Sequence, residues 1–113
     1  MTTADFKTHA FSFPEVEEQP HFEKTSFRVR KWIFVTLDEK DHQAVLKLNE
    51  IDQLVFSTYD PAIIIYPVPN KWGKQGWTVV ELKEMLRDAL KCAYCGVAPK
   101  KLIQVYKKKT PTN

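Results

Sequence analysis

Residues 27–48 read FRVRKWIFVTLDEKDHQAVLKL, and this stretch decides the fold class. Aromatic and β-branched residues crowd it on both parities. Phe27 and Val29 are followed by Trp32, Phe34 and Thr36 on one side and by Ile33, Val35 and Leu37 on the other, which is strand chemistry. The run begins upstream at His21 and Phe22, and the basic pair Arg30 and Lys31 is the natural joint between two strands. Asp38 to Asp41 is a charged turn. Beyond it, Ala44, Leu46 and Leu48 alternate with Gln43, Val45 and Lys47 to give a third strand.

Downstream, Asn49 caps an expected helix over Glu50 to Thr58, in which Ile51, Leu54 and Val55 recur at i, i+3 and i+4. Tyr59-Asp60-Pro61 ends it. Ala62 to Tyr66 is a fourth strand closed by Pro67 and Pro69, and the connection Asn70 to Gly76 leads to a fifth, Trp77 to Val80. Leu82, Met85, Leu86, Ala89, Leu90, Ala93, Tyr94 and Val97 then form one apolar stripe at helical spacing, stopped by Gly96 and Pro99. Thr78 and Glu81 also fit a capping box, which would start that helix earlier. Upstream, Phe6, Ala10 and Phe11 are spaced for a short helix over residues 3–12, and the acidic, proline-bounded Glu15 to Pro20 reads as a loop. The expected architecture is a two-layer α+β domain: an antiparallel sheet of about five strands with helices on one face, in the order helix, three strands, helix, two strands, helix.

At 113 residues the chain has room for a single domain spanning 1–113, with a lysine-rich C-terminal tail from about 103 in which Leu102, Ile103, Val105 and Tyr106 are docking contacts. Its 43% hydrophobic and 27% charged content is that of a globular protein, which argues against disordered and disulfide-scaffold classes. The strongest apolar run, Ala62 to Val68, falls far short of the roughly 18 residues of a membrane span, and the first residues lack an export pattern. A soluble cytoplasmic protein with no membrane partner is expected.

Charge is divided along the chain. Residues 1–60 carry a net −4 and residues 61–113 a net +7, leaving +3 overall. The bland reading of the basic half is a solvated face; the functional one is a surface for a polyanion.

Chemistry-bearing sets are sparse. Cys92 and Cys95 form one C-x-x-C without the second pair of a four-ligand zinc site, and both lie on the apolar face of the closing helix, where a free Cys packs as a small hydrophobe. His21, Glu23 and Lys24 fall within four positions, but strand alternation puts Lys24 on the face opposite His21 and Glu23. His9 and His42 have no carboxylates at ligand spacing. Trp72-Gly73-Lys74-Gln75-Gly76 lacks the Lys-Ser or Lys-Thr ending of a phosphate loop, so Gly73 and Gly76 are read as turn residues needing positive φ. Trp72, with Lys71 and Lys74, has the makings of a base-stacking and phosphate-touching unit, whereas Trp32 and Trp77 are expected to pack in the sheet. No catalytic residues, metal or cofactor are expected.

His21-Phe22-Glu23-Lys24, the pair Phe27-Arg28-Val29 and Trp32-Ile33-Phe34, the segment Pro67-Val68-Pro69 to Gly76-Trp77-Thr78, and the closing Ala93-Tyr94 with Val97-Ala98-Pro99-Lys100-Lys101 together resemble the MmcQ/YjbR family. The resemblance runs from about Phe11 to Leu102. It implies a CyaY-like fold grouped with the secretion-chaperone-like α+β domains, a DNA-binding role, and neither catalytic residues nor a cofactor. The leading expectation is therefore a non-enzymatic DNA-binding protein contacting phosphates through Arg28, Arg30, Lys31, Lys71, Lys74, Lys100 and Lys101, with Trp72 among them. The alternative is a protein-interaction or chaperone-like module that holds a peptide on an open sheet face or along Pro67 to Trp77.

Overall fold

The computed structural model describes residues 1–58, 65–85 and 87–109. Its elements run α1 (Thr3–Phe11), β1 (Val16–His21), β2 (Lys24–Val29), β3 (Trp32–Asp38), β4 (Gln43–Lys47), α2 (Glu50–Ser57), β5 (Ile65–Pro67), α3 (Lys71–Lys74), β6 (Trp77–Glu81), α4 (Arg87–Val97) and α5 (Lys100–Lys109). The strands form one antiparallel sheet in the order β1-β2-β3-β4-β6-β5. This is the expected α+β architecture, with one strand more than expected.

The added strand is β1, which occupies the stretch read as a loop. It pairs with β2 along its whole length, from Val16↔Val29 to His21↔Lys24. As the edge of the sheet it buries no side chain, so it carries no alternation, and Pro20 is tolerated where an edge strand lacks a neighbour for its missing N–H. The β2–β3 joint falls at Arg30 and Lys31, both at positive φ (50° and 75°), the requirement of a tight hairpin turn that follows the sheet's twist.

Register puts Thr25, Phe27, Val35, Leu37, Ala44, Leu46, Thr78, Val80 and Ile65 on one face. Phe27 pairs with Val35 but Arg28 pairs with Ile33, so Phe34 is an extra residue on β3. That bulge lets Phe34 join the same core, edge-on to Tyr94 at 5.6 Å and to Phe13 at 6.3 Å. Phe6 and Ala10 of α1 and Ala89, Leu90, Ala93 and Tyr94 of α4 cover this face. Tyr94 donates from its hydroxyl to the carbonyl of Pro14 at 2.9 Å, which satisfies its polar end inside the core.

The closing helix is divided. Leu82–Glu84 form a single 3-10 turn, Met85 is extended (ψ 128°), and α4 starts at Arg87. Thr78 lies inside β6, so the earlier helix start does not occur. The lysine-rich tail is α5 as far as Lys109, with Leu102 buried and Tyr106 packed against Phe13 at 5.0 Å. Expectations for Tyr59 to Ile64, for Leu86 and for Thr110 onward fall outside the described residues.

Candidate functional site

Alternation assigns Ser26, Arg28, Ile33, Thr36, Val45, Trp77, Val79 and Tyr66 to the other face of the sheet, away from α1 and α4. Ile33, Thr36 and Val45 floor a cavity there of about 850 Å³, walled by His21, Phe22, Glu23 and Lys24 on one side and by Val68, Trp72 and Trp77 on the other. Its size lies within the span of about 300–1,000 Å³ usual for ligand sites.

The first wall is the β1–β2 turn. His21 and Lys24 close the ladder as its last pair, leaving Phe22 and Glu23 as a two-residue loop. Phe22 takes a φ of 58°, uncommon for a bulky side chain, and is 95% exposed, with the His21 ring edge-on at 5.0 Å. His21, Glu23 and Lys24, which simple strand alternation separates, thus meet at one rim because the chain turns between them.

The second wall is α3 and the start of β6. Asn70 accepts the Trp72 N–H on its Oδ1 at 2.8 Å, and Gln75 N–H closes the turn on the Trp72 carbonyl at 3.1 Å. Gly73 lacks the positive φ expected of it; its requirement is space, since a Cβ there would lie 2.0 Å from the Val68 carbonyl oxygen. Gly76 does have the positive φ, at 104°. The Gln53 amide of α2 donates to the Gly73 carbonyl at 2.8 Å and to Thr78 Oγ1 at 3.1 Å, tying the wall to the body of the domain. Each tryptophan of this wall has a lysine over its ring: Lys71 lies 5.7 Å from the Trp72 centroid and Lys47 5.8 Å from that of Trp77.

Apart from Arg28, the residues expected to contact nucleic acid lie toward one end of the sheet. Antiparallel pairing places the β2–β3 turn (Arg30, Lys31), the end of β4 (Lys47) and the start of β6 at the same end, and α3 brings Lys71, Trp72 and Lys74 there. Lys47 also donates to the Gln75 carbonyl, and Lys47 and Lys74 flank a second cavity of about 240 Å³. Lys100 and Lys101 open α5, and the charge of Lys101 is felt at Glu15. Glu15 itself takes both nitrogens of the Arg30 fork, at 2.8 and 3.2 Å; that hydrogen-bonded pairing lowers the Glu15 carboxyl below its ordinary value and raises Arg30. Arg28 stands apart on the open face, donating to Ser26 Oγ at 2.9 Å. The opposite end of the sheet carries Glu23, Asp38, Glu39, Asp41, Glu81 and Glu84 with Lys7, Lys24, Lys40 and Lys83, so the molecule is moderately polarised along its strands.

Other candidates resolve differently. Trp32, expected inside the sheet, is 68% exposed beside the β2–β3 turn; Trp77 is half-buried in the cavity wall. Burial, more than any neighbouring charge, raises the thiols of Cys92 and Cys95, so neither is an activated nucleophile. Among the described residues no three His, Cys, Asp or Glu gather to hold a metal ion, and no helix is long and apolar enough to cross a membrane.

A family model described as YjbR matches residues 11–95. No curated protein matches the chain by sequence. Among solved structures, the chain is similar to the crystal structure of Deinococcus radiodurans protein DR2400, described as a DUF419 domain, with a TM-score of 0.73 and 19% identity over 96% of this chain and 86% of that one. That likeness supports the compact α+β fold.

Proposed function

This chain belongs to the YjbR family, and from that premise we propose that it is a non-catalytic domain that binds nucleic acid, DNA foremost, by phosphate contacts from the basic end of its sheet. The observation that carries the reading is the polarity of the sheet: Arg30, Lys31, Lys47, Lys71, Lys74, Lys100 and Lys101 lie toward one end with Glu15, Glu50 and Asp52, while the acidic turn and the end of β6 lie at the other. A polyanion is drawn to the first end. Arg30 is already engaged by Glu15, so the lysines of α3 and of the first turn of α5 are the principal phosphate contacts. Unpaired Cys92 and Cys95 suit a reducing compartment, and the proposed location is the cytoplasm.

Salt dependence tests the reading. Affinity for a short duplex should fall with added salt, with a logarithmic slope of roughly 0.9 per phosphate neutralised. Lys100→Ala with Lys101→Ala, and Lys71→Ala with Lys74→Ala, should each reduce that slope, whereas Lys40→Ala with Lys83→Ala at the opposite end should leave it unchanged. Absence of binding to any DNA or RNA at about 50 mM salt, where electrostatic attraction is strong, refutes it.

A protein-interaction module is the second reading. Ile51, Leu54 and Val55 of α2 are exposed on one side of a helix that buries none of its residues, the pattern of an apolar docking stripe.

A further inference from the structure

We infer that the open-face groove between the β1–β2 turn and α3 takes the bases of single-stranded nucleic acid; the inference rests on the nucleic-acid reading above and assigns the form of the polymer. Phosphate contacts alone leave a cavity of about 850 Å³ floored by Ile33 and Val45 without a use, because a phosphate gains nothing from an apolar floor. A nucleobase does, since its flat face is apolar and its edge is not.

The aromatic side chains around the groove come paired with lysines. Trp72 has Lys71 over its ring, Trp77 has Lys47, and Phe22 shares its four-residue turn with Lys24. Aromatic rings on which bases stack, with ammonium groups close enough to reach the adjoining phosphates, are the chemistry of single-strand binding surfaces. Glu23 is the one carboxylate lining the groove, against Lys24 in the lining and Lys47 and Lys71 at the tryptophans, so charge favours an anionic occupant over a basic one.

Phe22 adds an independent indication. Its positive φ and near-complete exposure cost free energy in the isolated chain and return no packing. A base stacked on its ring supplies the missing contact. Thr36, on the floor, offers a hydroxyl to a base edge. Duplex DNA fits poorly, since its base faces are covered by their neighbours and only edges and backbone reach the surface.

Titration of end-labelled oligonucleotides of about ten residues, run as dT, dA and rU strands and as a hairpin duplex at about 50 mM salt, tests the inference and separates DNA from RNA. Strands should bind more tightly than the duplex. Phe22→Ala and Trp72→Ala, both at exposed positions, should each weaken strand binding about 5- to 150-fold, the loss of one base stack, and leave duplex binding nearly unchanged. Trp32→Ala, exposed but outside the groove, is the control and should change neither. Strand affinity unmoved by Phe22→Ala and Trp72→Ala, with the salt slope and its dependence on Lys100 and Lys101 intact, overturns the groove assignment and leaves the phosphate reading standing. No binding of any oligonucleotide overturns both. Quenching of the groove tryptophans by an extended apolar peptide but by no oligonucleotide overturns it in favour of a protein partner.

Discussion

Replacing Gly76 by alanine tests the geometry that holds the second wall of the groove. Gly76 sits at φ 104°, and a Cβ built there would lie 1.8 Å from the Leu48 carbonyl oxygen and 3.0 Å from its carbon. Both obstacles are backbone, so no rotamer change relieves them. The same peptide region is already closed from the other direction, because Leu48 N–H donates to the Gly76 carbonyl at 2.9 Å, next to the Lys47↔Trp77 pair. A methyl group must therefore part β4 from the start of β6. A left-handed conformation costs an ordinary residue about 1–2 kcal/mol, overpacking against fixed atoms about 1–3 kcal/mol, and the strained Leu48–Gly76 hydrogen bond about 1 kcal/mol. The expected total is about 3–6 kcal/mol, a large part of the roughly 5–15 kcal/mol that holds a domain together. Gly96 is the internal comparison: it lies near the end of α4 at an ordinary φ, with nothing within 4 Å of its built Cβ, so Gly96→Ala should stabilise by about 0.4–1 kcal/mol. Urea unfolding followed by circular dichroism reads both. With a slope of about 1–3 kcal/mol per molar urea, the Gly76→Ala midpoint should fall by about 1 M or more and that of Gly96→Ala should rise slightly. An unchanged Gly76→Ala midpoint would refute the close approach of β4 and β6, and a lowered Gly96→Ala midpoint would refute the open surface assigned to the end of α4.

Leu90 is fully buried between α4 and the sheet, and Leu90→Ala should cost about 2–5 kcal/mol in the same urea assay; a midpoint equal to wild type would mean that α4 does not cover the core face. Tyr94→Phe removes the hydrogen bond to Pro14 and should cost about 0.5–1.5 kcal/mol at neutral pH. Burial pushes the Tyr94 phenol from 10.0 up to about 12, so the folded state keeps a proton that the unfolded state releases. The stabilisation is therefore complete below pH 10 and is lost as pH rises toward 12, and Tyr94→Phe should unfold less steeply over that interval; an identical alkaline profile in both proteins would refute the burial of the phenol.

How much of the molecule could be read in its sequence follows from which residues advertise their burial. The strands β2, β3 and β4 and the turn at Arg30 and Lys31 were legible because core residues recur on a fixed parity and the joint is polar. β1 was not, because an edge strand with every side chain at least partly exposed has no period, and only pairing with β2 makes it a strand. The break at Met85 was hidden for the opposite reason: Leu82 and Met85 are both buried, so the apolar stripe runs through a 3-10 turn and an extended residue without a gap. In α5, the spacing of Leu102 and Tyr106 is helical, but the surrounding lysines read as a solvated tail.

The groove raises a different difficulty. Ile33 and Val45 are the residue types of a core, and a strand apolar on both parities reads as one covered on both faces. Here α1 and α4 cover the face that holds Phe27, Leu37 and Leu46, and among the described residues neither helix reaches Ile33 and Val45, which line the groove on the other face. Sequence supplied the component strings, since His21 to Lys24 and the segment around Trp77 are among those by which the chain resembles its family. Their meeting across the sheet depends on the turn at Phe22 and the seat of α3 against Val68, neither of which has a local signature. The groove proposal gives this apolar surface, edged by lysines, a role apart from the core, which is why the groove variants Phe22→Ala and Trp72→Ala should change binding while the core variant Leu90→Ala should change stability.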